Sequence, residues 1–333
     1  MAVEGPAVYL ETGSQDPGYN LAFEEYVLTH RRTGDYLLLW QNGPAVVIGR
    51  NQNAEEEINR AFVEAHGIRV VRRATGGGAV YHDLGNLNYS FVTGAGAEEG
   101  MERFTRPVVQ ALQGLGLRAE AGGRNDILVE GRKVSGTAQR LLRGRMLHHG
   151  TLLFDTDLSM AEGALRVDPE KFRSKSVKSV RSRVGNLREF LGKDWSLENF
   201  WAYLKTALLG GDWVSGALAE EELQAVETLR RGTYGSWAWN FGSSPPYDLK
   251  NRRRWAGGSL EARASVAEGR ISAIGFYGDF LARRPLDSLV EELRGTAFRR
   301  EDVAAVLNRY PLGDFFGGIT AEEVLETLFY VHG

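Results

Sequence analysis

The apolar positions of this chain come in short bursts whose period switches along the sequence. Strand-like runs stand at Tyr36–Trp40 (YLLLW), 45–49 (AVVIG), 68–73, 79–81, 88–92, Asp126–Val129 and 148–154. Gln41-Asn42-Gly43-Pro44 joins the first two and marks a tight turn. Helical spacing appears at 20–30, where Leu21, Tyr26 and Leu28 form the apolar side and Glu24 and Glu25 are expected to face outward. It recurs at 54–66, stopped by Gly67, at 104–115, where Val108, Leu112 and Leu115 share a face, and at Leu197–Leu209 and 220–230. Strands joined partly by short turns predict an α+β class: a mixed, largely antiparallel sheet with helices packed on it, not a doubly wound parallel sheet.

A second pattern begins after FGSSPPY (241–247), where Pro-Pro with Gly and Ser can continue neither helix nor strand. Beyond it, 257–267 and 270–277 read as a hairpin around Glu268-Gly269, and 285–293, 300–308 and 321–329 as helices. The division expected is a domain at 1–246 and a small α+β domain at 247–333.

Composition is that of an ordinary globular protein, and the net charge of −3 offers no basic field for nucleic acid or an anionic membrane. No apolar run approaches the roughly 18 residues that span a bilayer. The opening MAVEGPAVYLETGS lacks the pattern of a targeting segment, so the expected location is the cytoplasm. Cysteine is absent, which excludes disulfides, thiolate metal sites and a thioester intermediate on this chain. Seven lysines stand against 33 arginines, and the first lysine is Lys133. A lone lysine in an arginine-biased stretch is either a chance survivor or a compact point charge that arginine's planar fork cannot copy.

Four constellations carry candidate chemistry. Arg72 and Arg73 precede three glycines, Gly76 to Gly78, and His82, Asp83 and Asn86 follow. Three glycines weaken a strand, and bare N–H groups beside arginines favour an anion. No Gly-Lys-Ser/Thr follows, so this is not a P-loop, and a strand-like run follows where a dinucleotide fingerprint needs a helix. Second, GRNDILV leads through Gly131 into RKVSGTA; alternation sends Lys133 and Ser135 to one face and Val134 to the other, without deciding which face is inside. Third, adjacent His148 and His149 point to opposite faces, one to the core and one to a surface, and no ligand spacing supports a metal site held by protein alone. Fourth, KFRSKSVKSVRSR (171–183) reads as a solvated loop or as a flap that closes over phosphate.

These blocks, in this order, resemble the lipoate–protein ligase A family. The match is carried by RRATGGGAVYHDLGN, GRNDIL with RKVSGTAQR, HHGTLLF and SVRSRVGNL, and also by LLLWQN, VVIGRNQN, SWAWNFG and WAGGSLE. The resemblance covers nearly the whole chain, including the small C-terminal domain of the longer ligases. It implies a class II biotin-ligase-like fold for the large domain. It also implies a two-step reaction: lipoate and ATP give lipoyl-AMP and pyrophosphate, then the lipoyl group passes to a lysine of an acceptor. The acceptors implied are lipoyl domains of 2-oxo-acid dehydrogenase acyltransferase subunits and the glycine-cleavage H protein. Carried over by motif, Arg73, Gly78, Ala79, Val80, Tyr81 and Lys133 contact nucleotide, and Lys133 also the lipoyl carbonyl. His82, Asn86 and His149 match positions near the adenylate. Lys175, Lys178, Arg181 and Arg183 match the adenylate-binding loop.

The chemistry agrees with that resemblance. Joining two anions needs neutralisation and alignment more than covalent help. Lys133 is expected to bridge the carboxylate and the α-phosphate, with Mg²⁺ carrying pyrophosphate charge and Asn125 and Asp126 near the ion. Gly77, Gly78 and neighbouring strand residues are expected to floor a slot for the acyl chain, with Trp40 and Val47 as walls, and Gly76 and Ser135 are expected to touch substrate as well. Transferases of the same fold use a cysteine, which this chain lacks; a silent paralogue that only binds lipoate or a lipoyl domain is a second alternative, and a biotin-type ligase, whose pattern RRATGGG resembles less well, is a third. A monomer is expected.

Overall fold

A computed structural model describes residues 6–94, 100–166, 184–241, 249–267 and 269–329, except the side chains of Glu55 and Glu56. An eight-stranded mixed sheet is its spine. Across it run Trp213–Ser215, Ala7–Glu11, Tyr36–Trp40, Asn86–Gly94, Arg145–Leu153, Arg132–Leu142, Asp126–Val129 and Ala119–Gly122, in that order. The first three are parallel to one another; every later pairing is antiparallel.

Strand alternation gives this sheet two different faces. Leu37, Leu39, Leu87, Tyr89 and Leu152 point to one side, where helices Glu102–Gly114 and Leu197–Leu209 bury them. Leu38, Trp40, Val92 and Leu147 point to the other, against helix Pro17–His30. That helix starts where Asp16 Oδ1 accepts from Gly18 N (2.8 Å) and Tyr19 N (3.0 Å). A three-stranded sheet, Arg69–Arg72, Ala45–Ile48 and Val80–His82, lies beside it. The triglycine connects two of its strands, so it is held at both ends.

The C-terminal domain has its own core. Strands Leu249–Trp255, Gly258–Ala267 and Arg270–Gly278 form an antiparallel sheet, and its inner face (Leu260, Ala262, Ile274, Phe276) packs with Leu289, Leu307, Phe316 and Leu325 from four helices. The first of these strands and the helix Leu312–Phe316 go beyond the sequence expectation. The expected boundary falls in 242–248, outside the described residues. Backbone hydrogen bonds fasten this domain to the large one: Gly77 N to Phe280 O (3.0 Å), Gly278 N to Asn51 O (2.7 Å) and Leu141 N to Arg283 O (2.8 Å).

Three local expectations need correction. The helix predicted over 54–66 is two short ones, Ala54–Glu57 and Arg60–Ala65; Ile58 pairs with Leu165 between them, and Asn59 caps the second. Ser135 does not share a face with Lys133. The register slips between Ile127 and Leu128, so Lys133 pairs with Leu128 while Ser135 pairs with Ile127, a residue of the helix-side core. Paired residues share a face, so the bulge turns both Val134 and Ser135 away from the Lys133 side. Third, both adjacent histidines are buried: His148 stacks on Phe104 on the helix side, and His149 lies on the opposite face.

Candidate active site

A cavity opens between the large sheet, the small sheet and helix Pro17–His30. It encloses about 590 Å³ of empty space, open mouth included. Leu21, Trp40 and Val47 form an apolar wall, and Gly78, Ala79 and Val80 form one edge. Asn125, Lys133, Gly136, Thr137 and Ala138 come from the bulged hairpin opposite, and Arg73, His82, Asn88 and His149 supply polar groups. Of the residues singled out in the sequence, Trp40, Arg73, Gly78, Ala79, Val80, His82, Asn125, Lys133 and His149 therefore meet in one place. Arg73 and Lys133, 60 positions apart in sequence, face the same space.

Lys133 Nζ lies 2.7 Å from Asp126 Oδ1. Both side chains are about one-third exposed, which leaves the ammonium accessible at the cavity rim. Asn125 Nδ2 donates to Thr137 O (2.8 Å) and ties the two strands of the hairpin. The β-bulge places Lys133 here; regular alternation alone could not name its face.

The two arginines before the triglycine have different tasks. Arg72 donates to the carbonyls of Gly49 (2.9 Å), Gln52 (2.6 Å), Trp239 (2.9 Å) and Asn240 (2.9 Å) and staples distant loops together. Arg73 donates Nη2 to Gly76 O (2.6 Å) and Gly78 O (2.9 Å), Nη1 to Val47 O (3.1 Å) and Nε to Thr75 Oγ1 (3.0 Å). The triglycine loop is thus wrapped around a guanidinium. Burial pulls both arginines down to about 10, which still leaves them charged at neutral pH.

At Gly76 and Gly77 this loop takes only glycine. Gly77 has φ +90°, and a Cβ on Gly49 would lie 2.0 Å from Gly77 O. The expectations that Gly77 floors the slot and that Gly76 touches substrate are corrected: both face the C-terminal domain. A Cβ on Gly76 would meet Ala282 N at 2.6 Å and Phe280 O at 2.8 Å. Gly78 alone of the three lines the cavity. Tyr81 packs in a separate core with Val46 and Ile48, and Asn86 is buried with its Nδ2 on Asn88 Oδ1 (3.0 Å); neither reaches the cavity lining. Lys175, Lys178, Arg181 and Arg183 lie outside the described residues.

Glu24 corrects the helix reading. It is buried at 3% exposure, against an expectation of solvent. Its carboxylate meets His149 Nδ1 (2.8 and 3.0 Å) and accepts from Ser90 Oγ (2.5 Å), to which Trp40 Nε1 donates (2.9 Å). His149 Nε2 lies 2.8 Å from Thr75 Oγ1. A carboxylate accepts, so Nδ1 carries the proton and Nε2 is left for the threonine. The chain Trp40–Ser90–Glu24–His149–Thr75–Arg73 connects the apolar wall to the triglycine. A signal for it stood in the sequence: Leu21, Glu24 and Leu28 share helical spacing, so an acid sat in the apolar stripe. His82 is neutral. Burial, reinforced by Arg73 and His149, pushes its imidazole down to about 3; Nδ1 contacts Asn42 Nδ2 (2.9 Å).

No cluster of three metal-ligating side chains occurs among the described residues, and no described helix is long and apolar enough to cross a membrane. Residues 16–209 match the family model for the lipoyl protein ligase A/B catalytic domain, and 244–328 match that for the bacterial lipoate protein ligase C-terminus. The two spans together take in most of the chain.

The chain belongs to the lipoate–protein ligase family.

Among its ligase relatives, lipoate-protein ligase LplJ of Bacillus subtilis is 41% identical over 321 residues, covering 94% of this chain and 97% of that one. LipL1 of P. falciparum, solved in complex with lipoate, superposes with a TM-score of 0.78 over 92% of this chain and 94% of its own. At 23% identity that likeness shows the shared fold. A bipartite ligase from Thermoplasma acidophilum, described with its E2 lipoyl domain, is 32% identical with a TM-score of 0.63, covering 74% of this chain and 100% of its own. A lipoate-protein ligase A bound with ATP is 30% identical, also at 0.63, over 72% and 99% of the two chains. The α+β architecture expected from the sequence is therefore the fold of this ligase family.

Proposed function

We infer that this chain is an ATP-dependent lipoate–protein ligase in which Lys133 serves the adenylation step. The observation that carries the residue assignment is the shared cavity. One ammonium and one glycine edge line the same space, which has an apolar wall on one side and the polar groups of Arg73, His82, Asn88 and His149 on another. An acyl chain suits the wall of Leu21, Trp40 and Val47, and a carboxylate at its end would reach Lys133. The ammonium offsets the repulsion between that carboxylate and the α-phosphate as they approach, and then holds the acyl oxygen of the mixed anhydride. Gly78, Ala79 and Val80 offer an edge that lets phosphate come close to backbone.

Lys175, Lys178, Arg181 and Arg183 are proposed, from the motif resemblance, as the loop that covers the adenylate. Mg²⁺ fits the donor set as a substrate-bound ion. Asp126 supplies one carboxylate at the rim among the described residues, and Mg²⁺ in such sites is held by one or two carboxylates together with phosphates. The ion would neutralise polyphosphate charge.

In the second step an acceptor lysine attacks the acyl carbon and AMP leaves. The family acts on lipoyl domains; we propose those of 2-oxo-acid dehydrogenase acyltransferases and the H protein as acceptors, and the cytoplasm as the location. Lipoate-dependent exchange of labelled pyrophosphate into ATP tests the reading. The expected result is exchange that requires lipoate and collapses in Lys133→Ala. Absence of exchange in the unaltered chain overturns the ligase reading; undiminished exchange in the variant overturns the role of the lysine.

A further inference from the structure

The sequence block WAGGSLE has no task in the chemistry so far. It forms the turn between strands Leu249–Trp255 and Gly258–Ala267, and that turn touches the large domain beside the cavity. Arg124, the residue before Asn125 of the cavity lining, donates Nη1 to Gly257 O. Gly258 has φ +135°, and a Cβ there would lie 2.8 Å from Arg124 Nη1 and 3.0 Å from Asp279 Oδ1. Glycine is what lets these two groups approach the turn. Asp279 is buried, and its Oδ1 accepts from Ser259 N (2.6 Å) and Ser259 Oγ (2.9 Å). Arg254 Nη1 lies 3.6 Å from Asp279 Oδ2, longer than a hydrogen bond. Gly78, the glycine of the cavity edge, is the neighbour on the other side: a Cβ on it would stand 3.9 Å from Asp279 Cβ.

Two exposed arginines, one from each domain, thus stand beside residues of the cavity lining: Arg124 next to Asn125 in the chain, and Arg254 on Asp279, which adjoins Gly78. Lys133, paired with Asp126, adds a further cation at the cavity rim. We propose that Arg124 and Arg254 form a polyphosphate subsite that holds the β- and γ-phosphates of ATP and the departing pyrophosphate. The proposal rests on the ligase reading and extends it to the C-terminal domain.

The chemistry explains why such a subsite is useful in one half-reaction only. A lipoate carboxylate oxygen attacks the α-phosphorus. The bond from that phosphorus to the oxygen bridging to the β-phosphate breaks, and its electron pair leaves on pyrophosphate. Negative charge grows where a planar guanidinium fork can meet two phosphate oxygens. Lipoyl-AMP carries no pyrophosphate, so transfer to the acceptor makes no use of these arginines. A clip that merely joined the domains would not distinguish the two steps.

The test uses the full chain with Arg124→Ala and Arg254→Ala, assayed separately for pyrophosphate exchange and for transfer from preformed lipoyl-AMP to a lipoyl domain. Each variant is expected to raise the KM for ATP and for pyrophosphate about tenfold or more, the usual effect of losing a charge-assisted hydrogen bond. Transfer from preformed lipoyl-AMP should stay within about twofold of the unaltered chain, since neither arginine then has a phosphate to hold. Arg254→Lys, which keeps the charge, should recover part of the loss. Thermal midpoints check folding, and if one variant unfolds the other carries the test, because the two residues lie in different domains. Unchanged KM values, or equal loss in both steps, would overturn the subsite. A complete lack of lipoate-dependent exchange in the unaltered chain would instead overturn the ligase reading on which it rests.

Discussion

Glu24 Oε1 lies 2.8 Å from His149 Nδ1, and both side chains are more than nine-tenths buried. This pair sets the inner end of the polar network beneath the cavity. Glu24 comes from the helix above and His149 from the centre of the sheet, so the contact also registers one on the other.

Removing the acceptor should therefore cost stability as well as order. Glu24→Leu leaves His149 Nδ1 and Ser90 Oγ without their partner, and each orphaned buried donor costs about 1–3 kcal/mol. Glu24→Gln keeps one acceptor oxygen and should cost less. Denaturant unfolding of the two variants measures the difference; equal stability in Glu24→Leu and the unaltered chain would falsify the network's structural weight.

Lys133 separates activity from stability. Its ion pair with Asp126 is partly exposed, and such pairs contribute about 0–1 kcal/mol. Lys133→Ala should thus unfold almost where the unaltered protein does, while pyrophosphate exchange falls about 100-fold or more. Lys133→Arg should not restore the rate, since a planar fork does not replace a compact charge at the rim. A large drop in thermal midpoint for Lys133→Ala would mean that lost folding explains lost activity.

Gly49→Ala should be far more harmful than a surface change of the same kind. The added methyl would stand 2.0 Å from Gly77 O, so the triglycine loop must shift off Arg73. Because both partners are backbone, the cost should exceed about 1 kcal/mol. The carbonyls that Arg73 holds would move with it, and exchange should drop in parallel. Alanine at Gly116, where a Cβ would meet nothing within 4 Å but φ is +78°, isolates backbone strain from the clash.

Acid should destabilise the fold through its buried imidazoles. His82 and His148 are each pushed by burial from 6.5 down to about 3. Between those values the unfolded chain holds protons that the folded chain refuses, so stability falls as pH drops from 6.5 toward 3. Above 6.5 neither histidine contributes a slope. Each can add up to about 1.4 kcal/mol per pH unit within the window. His148→Phe should reduce the slope of unfolding free energy against pH there, whatever it does to the stability at neutral pH; an unaltered slope would show that His148 is not held neutral.

The sequence by itself determined the α+β class, the main strands and helices, and the family. It did so because those features are local. Periodicity, turn residues and the order of short motifs are all written in neighbouring positions. Arg73, Gly78 and Lys133 could be named from their motifs for the same reason. What tertiary structure decided was direction. A one-residue bulge after Lys133 separated it from Ser135, and no propensity forecasts where a ladder slips. Glu24 turned inward because the facing sheet offers Ser90 and His149, partners that lie 66 and 125 residues away. Gly76 and Gly77 met the second domain because backbone without side chains is the surface two domains can share most closely. Which groups a residue faces depends on pairings across the chain, and those energies appear only once the layers are stacked.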